Sequence, residues 1–196
     1  MVSRRLAILG ASGFVGRALT KLATQGGHEV VCLGRNPLME AQAGQWIACD
    51  LAAPTGTIPI PQGTEAVFYL AQSAHYREFP RYADDLFAIN TQGVARAAQA
   101  ALAAGCRFFC YASSGNVYAP SFQALTEDSP TARHSPYAVS KLMGEDVTAC
   151  FKELMQVVSV RIFGAYGPGQ RAMLPWILTQ RIRQGQPVEL APGPQG

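Results

Sequence analysis

The chain has 196 residues, 48% of them hydrophobic and 15% charged, which is enough apolar material for one well-formed domain and short for two complete ones. Its formal net charge of +3 comes from Lys and Arg scattered along the sequence instead of gathered into a stripe, which argues against nucleic acid or an anionic membrane as partner. Cys32, Cys49, Cys106, Cys110 and Cys150 lack the paired spacing of a zinc site and read as buried structural thiols with no metal, and no apolar run reaches signal-peptide or membrane-span length, so a soluble, cytoplasmic protein is expected.

In chain order, Leu6 to Leu9 is a short apolar run that ends in Gly10, and Phe14 to Ala23 follows with apolar residues at helical spacing, giving a strand, a turn and a helix. Short apolar runs bounded by turn residues predict further strands at 29–33, 45–49 and 66–70, with a Pro-, Gly- and Thr-rich loop at 54–63. Alanine-rich 84–104 predicts one packed helix stopped by Gly105, and 107–112 returns to a strand. Ser135 as cap and Pro136 in the first turn open a helix to about residue 153, before a strand at 157–162. A helix over 174–184 and a short apolar run at 188–190 complete the series. Strands that alternate with helices and read as continuous apolar runs predict an α/β fold of Rossmann type, a doubly wound parallel sheet covered on both faces. The texture changes after Gly164, so residues 1–165 are expected to form the nucleotide-binding domain and 166–196 the start of a smaller C-terminal substrate region.

Gly10, Gly13 and Gly16 form G-A-S-G-F-V-G between the first strand and the first helix, with Ser12, Phe14 and Val15 in the same turn. Missing side chains at such a turn let the backbone approach a pyrophosphate at the helix N-terminus, although a tight turn that binds nothing has the same sequence. The spacing G-x-x-G-x-x-G resembles that of the short-chain dehydrogenase/reductases. Past the second strand stands Arg35, where many dinucleotide-binding folds have an acidic residue on the ribose; a guanidinium there can pair with a 2′-phosphate, which tilts the expectation from NAD towards NADP.

Tyr137 and Lys141 lie four residues apart on one predicted helix and so share a face, and Ser113 and Ser114 follow an apolar strand, where a parallel sheet presents its ligands. A phenol that serves as base at neutral pH must lose about three pKa units, worth roughly 4 kcal/mol, and a nearby ammonium can supply that field. The Y-x-x-x-K plus Ser arrangement resembles the short-chain dehydrogenase/reductases, and Tyr111 to Tyr118, Y-A-S-S-G-N-V-Y, resembles the S-S-x-x-V-Y segment of their extended, sugar-nucleotide branch, the NAD-dependent epimerase/dehydratase family. The resemblance implies Tyr137 as proton carrier, Lys141 beside the nicotinamide ribose and Ser114, three residues before Val117, as donor to the substrate oxygen. It also implies cofactor contacts from Asp50, Leu51, Leu70, Ala71 and Asn90, each with a plainer structural explanation as turn cap, strand end or helix-surface polar group. His75, Tyr76 and His134 lie in loops that could border a substrate, while Glu145 reads as helix surface.

Ser113, Gly115, Asn116 and Gly164 are the weaker substrate-side candidates. Gly115 and Asn116 occupy the positions of the Asp-Glu pair that performs elimination in 4,6-dehydratases, which leaves epimerase or reductase chemistry on a sugar nucleotide or related carbonyl or alcohol. R-I-F-G-A-Y-G-P-G-Q, from Arg161 to Gln170, resembles the family's R-x-F-N-x-Y-G-P-G, but Gly164 replaces an Asn that contacts the sugar-nucleotide phosphates. Members of the family continue for about a hundred residues more, so a piece of a longer chain, able to hold cofactor without turning over, is expected. A homodimer through the helices at 84–104 and 137–153 is also implied. A protein that kept the fold to sense cofactor or bind a partner is the competing expectation, and it has no need of Ser114, Tyr137 and Lys141 together.

Overall fold

A computed structural model describes residues 2–37, 44–171 and 173–188. Six strands, β1 (Arg5–Leu9), β2 (Glu29–Gly34), β3 (Gln45–Ala48), β4 (Ala66–Tyr69), β5 (Phe108–Ser114) and β6 (Gln156–Ile162), form one parallel sheet in the order β3-β2-β1-β4-β5-β6. This is the Rossmann arrangement expected from the alternation of short apolar strands and helices. The strand order reverses between β1 and β4, and that reversal opens a crevice beyond their C-terminal ends, where Gly10 and Leu70 lie.

Because side chains alternate along a strand, the sheet feeds two cores. Ala7, Leu9, Val31, Leu33, Val67, Tyr69, Phe109 and Tyr111 face one way, against Ile89, Val94, Ala97, Ala98 and Ala101. Leu6, Ile8, Val30 and Cys32 face the other way, against Ala23 and Leu19 of α1 (Phe14–Gln25).

The helix expected over 84–104 is broken into α2 (Ala83–Phe87), a π-helical turn (Ala88–Gln92) and α3 (Gly93–Ala103). The cause lies in the sheet. The buried Tyr69 hydroxyl donates to the Ile89 carbonyl at 2.5 Å and the Tyr111 hydroxyl to the Asn90 carbonyl at 3.4 Å, so these carbonyls serve tyrosines as the turn widens. Gly105, at φ +79°, ends α3 as its sequence position predicts. Helix α4 (Pro136–Ala149) starts on a Ser135 cap, whose Oγ accepts from the Ala138 N–H at 3.1 Å. Helix α5 (Leu174–Arg183) has no buried residue.

The thiols depart from expectation in part: Cys32, Cys106 and Cys110 are buried and Cys49 partly so, but Cys150 is exposed just past the end of α4, where no core covers it. Among the described residues no helix is long and apolar enough to cross a membrane. The run at 188–190 falls largely outside the described residues.

Candidate active site

A cleft of about 940 Å³ opens at the C-terminal ends of the strands. Gly10, Gly13, Phe14, Val15 and Gly16 line one end of it. Two of these glycines are required by the chain's own packing. A Cβ on Gly10, which sits at φ +86°, would lie 2.6 Å from the Ala71 nitrogen, and one on Gly16 would meet the Gly10 carbonyl and lie 2.7 Å from the Ala11 Cα. Gly13 plays another part: it is the N-cap of α1 and offers no side chain to the helix, and the first turn carries no acidic residue. The first N–H groups of α1 therefore open onto the cleft without a capping side chain, a donor set and dipole end that fit a pyrophosphate.

The other end is built from β5 and α4, and Ser113, Ser114, Tyr137 and Lys141 all line it. Lys141 is buried and donates from Nζ to the Ala112 carbonyl at 2.9 Å, which rivets α4 to β5. Its Nζ lies 5.8 Å from the centre of the Tyr137 ring. The Tyr137 hydroxyl donates to Gln72 Oε1 at 3.0 Å, and Ser114 Oγ accepts from the Asn116 N–H at 3.2 Å.

Electrostatics do not follow the simple expectation from sequence. Burial raises the Tyr137 phenol above its ordinary value, against the pull of a hydrogen bond with Ser114, and burial pushes Lys141 down to about 7. Desolvation dominates both groups, so the ammonium field that would ionise the phenol is weak in this arrangement. More polar partners at Nζ, such as ribose hydroxyls, would restore the lysine's charge; Nζ has three N–H donors, and one protein acceptor engages it here.

Glu145 departs from its expected place on the helix surface. It is one turn beyond Lys141, with its side chain 14% exposed, and pairs with Arg161 of β6 through Nε at 3.0 Å and Nη2 at 2.8 Å. Ser113 Oγ donates to the same carboxylate, and Arg161 Nη1 reaches the Glu127 carbonyl at 3.2 Å. The hydrogen bonds from Arg161 and Ser113, with the arginine's charge, outweigh burial and hold the Glu145 carboxyl below its ordinary value. This brace ties the helix of Tyr137 and Lys141 to the two strands beside it. Arg161 sits 16 residues from Glu145, on a different element, so no local pattern announces the pair.

The remaining candidates divide. Leu70, Gly115, Asn116, Gly164 and Tyr76 line the cleft; Ser12, Arg35, Asp50, Leu51, Ala71, Asn90, His75 and His134 are not among its lining residues. Asp50 Oδ1 caps its own turn at the Ala52 N–H, 3.0 Å away. Leu51 is buried in the core, and Ala71 packs against Gly10. Asn90 is fully buried, with Oδ1 accepting from the Ser73 N–H at 3.1 Å and Nδ2 donating to Ser140 Oγ at 3.0 Å, so it braces the loop after β4 against α4. Residues that the sequence did not single out also line the cleft, among them Gln72, Arg77 and Phe79. Their loops carry no motif that marks them.

Residues 6–193 match the sequence model of the NAD dependent epimerase/dehydratase family. The chain is 31% identical over 184 residues to a UDP-glucose 4-epimerase of Mycolicibacterium smegmatis, a match that covers 85% of this chain and 58% of that protein. It is 28% identical over 192 residues to a 2-alkyl-3-oxoalkanoate reductase of Stenotrophomonas maltophilia, covering 93% of this chain and 57% of the relative. Among solved structures it resembles MoeE5 in complex with UDP-glucuronic acid and NAD, with a TM-score of 0.84, 28% identity, and coverage of 94% of this chain and 63% of MoeE5. The chain thus spans little more than half the length of these curated relatives.

Proposed function

The chain belongs to the NAD dependent epimerase/dehydratase family, and on that premise we propose that it is an NAD(P)-dependent epimerase or reductase acting at a hydroxyl or carbonyl carbon of a sugar nucleotide or related small molecule. The observation that carries this reading is the shared cleft: Ser114, Tyr137 and Lys141 line the same cavity as the glycine turn. A bound nicotinamide would supply the hydride acceptor or donor. The chain's own groups do the rest. The uncapped start of α1 holds the pyrophosphate, Lys141 orients a ribose and gains charge in doing so, Tyr137 moves the proton of the substrate hydroxyl, and Ser114 donates to the substrate oxygen.

Dehydration is disfavoured, since elimination needs an acid and a base of its own and no Asp or Glu is among the described residues lining the cleft. The sugar-nucleotide class draws support from the Mycolicibacterium relative and from MoeE5, while the Stenotrophomonas relative keeps a non-sugar carbonyl in view. Residues 1–165 are taken as the nucleotide-binding unit and 166–196 as the start of a substrate region. A homodimer through α3 and α4 is part of the proposal, supported by the exposed apolar Leu102 and Met143.

Arg35, exposed and without an ion-pair partner among the described residues, supports NADP over NAD. Fluorescence titration with NADH and NADPH tests the cofactor, followed by a sugar-nucleotide panel read for cofactor consumption and for isomers. Arg35→Ala is expected to weaken NADPH about tenfold and NADH hardly at all; equal losses would remove the preference. Tight cofactor binding with no turnover on any substrate, in a full-length protein, would favour a sensor.

A further inference from the structure

The proposed hydride transfer uses Lys141 and leaves one charged residue of the cleft, Arg77, without a role. Among its described lining residues the charged side chains are Lys141 and Arg77, and no carboxylate balances them. Lys141 lies on the buried floor with Nζ engaged by the Ala112 carbonyl, whereas Arg77 stands at the exposed rim. Two tyrosine rings connect them. Lys141 Nζ is 5.8 Å from the centre of the Tyr137 ring, the Tyr137 and Tyr76 rings are 4.7 Å apart, and Arg77 Cζ lies 5.1 Å over the Tyr76 ring.

Of the acids that follow Arg77 in sequence, Glu78 is committed to His75 Nδ1 at 2.7 Å and Asp85 to the Ser73 hydroxyl, and Asp84, in the first turn of α2, forms no ion pair among the described residues. Arg77 itself has no ion-pair partner among the described residues. The loop that carries it is anchored, for the Ser73 N–H donates to Asn90 Oδ1 and the His75 ring stacks on Tyr82 at 4.0 Å. An anchored loop therefore holds an uncompensated guanidinium beside the reacting end of the cleft.

We propose that Arg77 is the anion anchor of the site, holding a carboxylate or phosphate group of the substrate above Tyr76, next to the carbon that Tyr137 addresses. This rests on the catalytic reading of the cleft given above. A guanidinium fork pairs two-pronged with either group, and the Tyr76 face beneath it keeps water from one side of the pair.

Calorimetry on the NAD-loaded chain tests this with three probes: UDP-glucuronic acid, which carries a carboxylate and a diphosphate; UDP-glucose, which carries the diphosphate alone; and 3-hydroxyoctanoate, which carries a carboxylate on an acyl chain. At least one is expected to bind the wild type, to bind Arg77→Gln about 10- to 100-fold more weakly, and to recover in part with Arg77→Lys, while the NAD affinity stays unchanged throughout. Loss for UDP-glucose as large as for UDP-glucuronic acid identifies the diphosphate as the group held. Loss confined to UDP-glucuronic acid identifies a sugar carboxylate, and loss for 3-hydroxyoctanoate identifies an acyl one. Unchanged affinity in Arg77→Gln, or an NAD-loaded wild type that binds none of the three, overturns the anchor. A chain that binds neither NAD nor NADP overturns the cofactor reading beneath it, a distinguishable result.

Discussion

The two ends of the cleft are made of different material. The glycine-turn end is backbone: its shape comes from close approach of Gly16 to Gly10 and of Gly10 to Ala71, and its donors are the first N–H groups of α1. The end beneath Tyr137 is side chain, with Lys141 riveted to Ala112 and Glu145 clasping Arg161 and Ser113. Added atoms should damage the first end and removed atoms the second. A backbone-built site also tolerates no stepwise change, whereas a side-chain site can be tuned one group at a time.

The largest expected effect is at the side-chain end. Tyr137→Phe removes a hydroxyl and nothing else, and turnover on a responsive substrate should fall by about 10²- to 10⁴-fold while the NADH affinity measured by fluorescence stays within twofold. Substantial residual turnover would exclude the phenol as proton carrier. Next comes Glu145→Gln, which leaves the Arg161 charge poorly compensated in a site only 22% exposed; urea unfolding should show a loss of about 2–3 kcal/mol. A loss below about 0.5 kcal/mol, the scale of an exposed pair, would reduce the brace to surface decoration.

Gly16→Ala attacks the other end by addition. Its new Cβ meets backbone that cannot rotate away, so a loss of about 2 kcal/mol is expected together with weakened binding of either dinucleotide. Should the alanine variant bind NADH as tightly as the parent, the contrast between the two ends fails.

The smallest effect concerns pH. Lys141 is held down to about 7 in the folded chain against an ordinary lysine value near 10.5, so between those limits the unfolded chain carries more protons. Stability from this group must therefore rise with pH above about 7, by at most roughly 1.4 kcal/mol per pH unit. Unfolding curves at pH 7 and 8 should separate for the wild type and move closer together in Lys141→Met. Equal separation in both would assign the slope to other groups.

Much of this molecule is legible in its sequence because the responsible interactions are local. Ser135 and Pro136 announce the start of α4, Gly105 stops α3, and the i, i+4 spacing of Tyr137 and Lys141 puts them on one face, as the cleft requires. What escaped was set across the sheet. The brace of Glu145 depends on a strand that follows it, and the buried role of Asn90 depends on Ser73 and Ser140, 17 and 50 residues away. Periodicity also cannot foresee that burial would move the pKa values of Tyr137 and Lys141 in opposite directions to those their pairing implies.

The π-helical turn at Ala88–Gln92 amounts to a single surplus residue in what would otherwise be one uninterrupted rod. Excising one residue there would let Ala83 to Ala103 wind evenly, yet each residue accounts for about 100° of rotation. Whichever flank moved, Asn90 and Gly93 would no longer share the azimuth that now brings Asn90 to Ser140 and Gly93 beneath the Tyr69 hydroxyl. The widened coil thus works as a phase shifter, and a deletion that makes the helix more regular should leave the loop after β4 without its moorings.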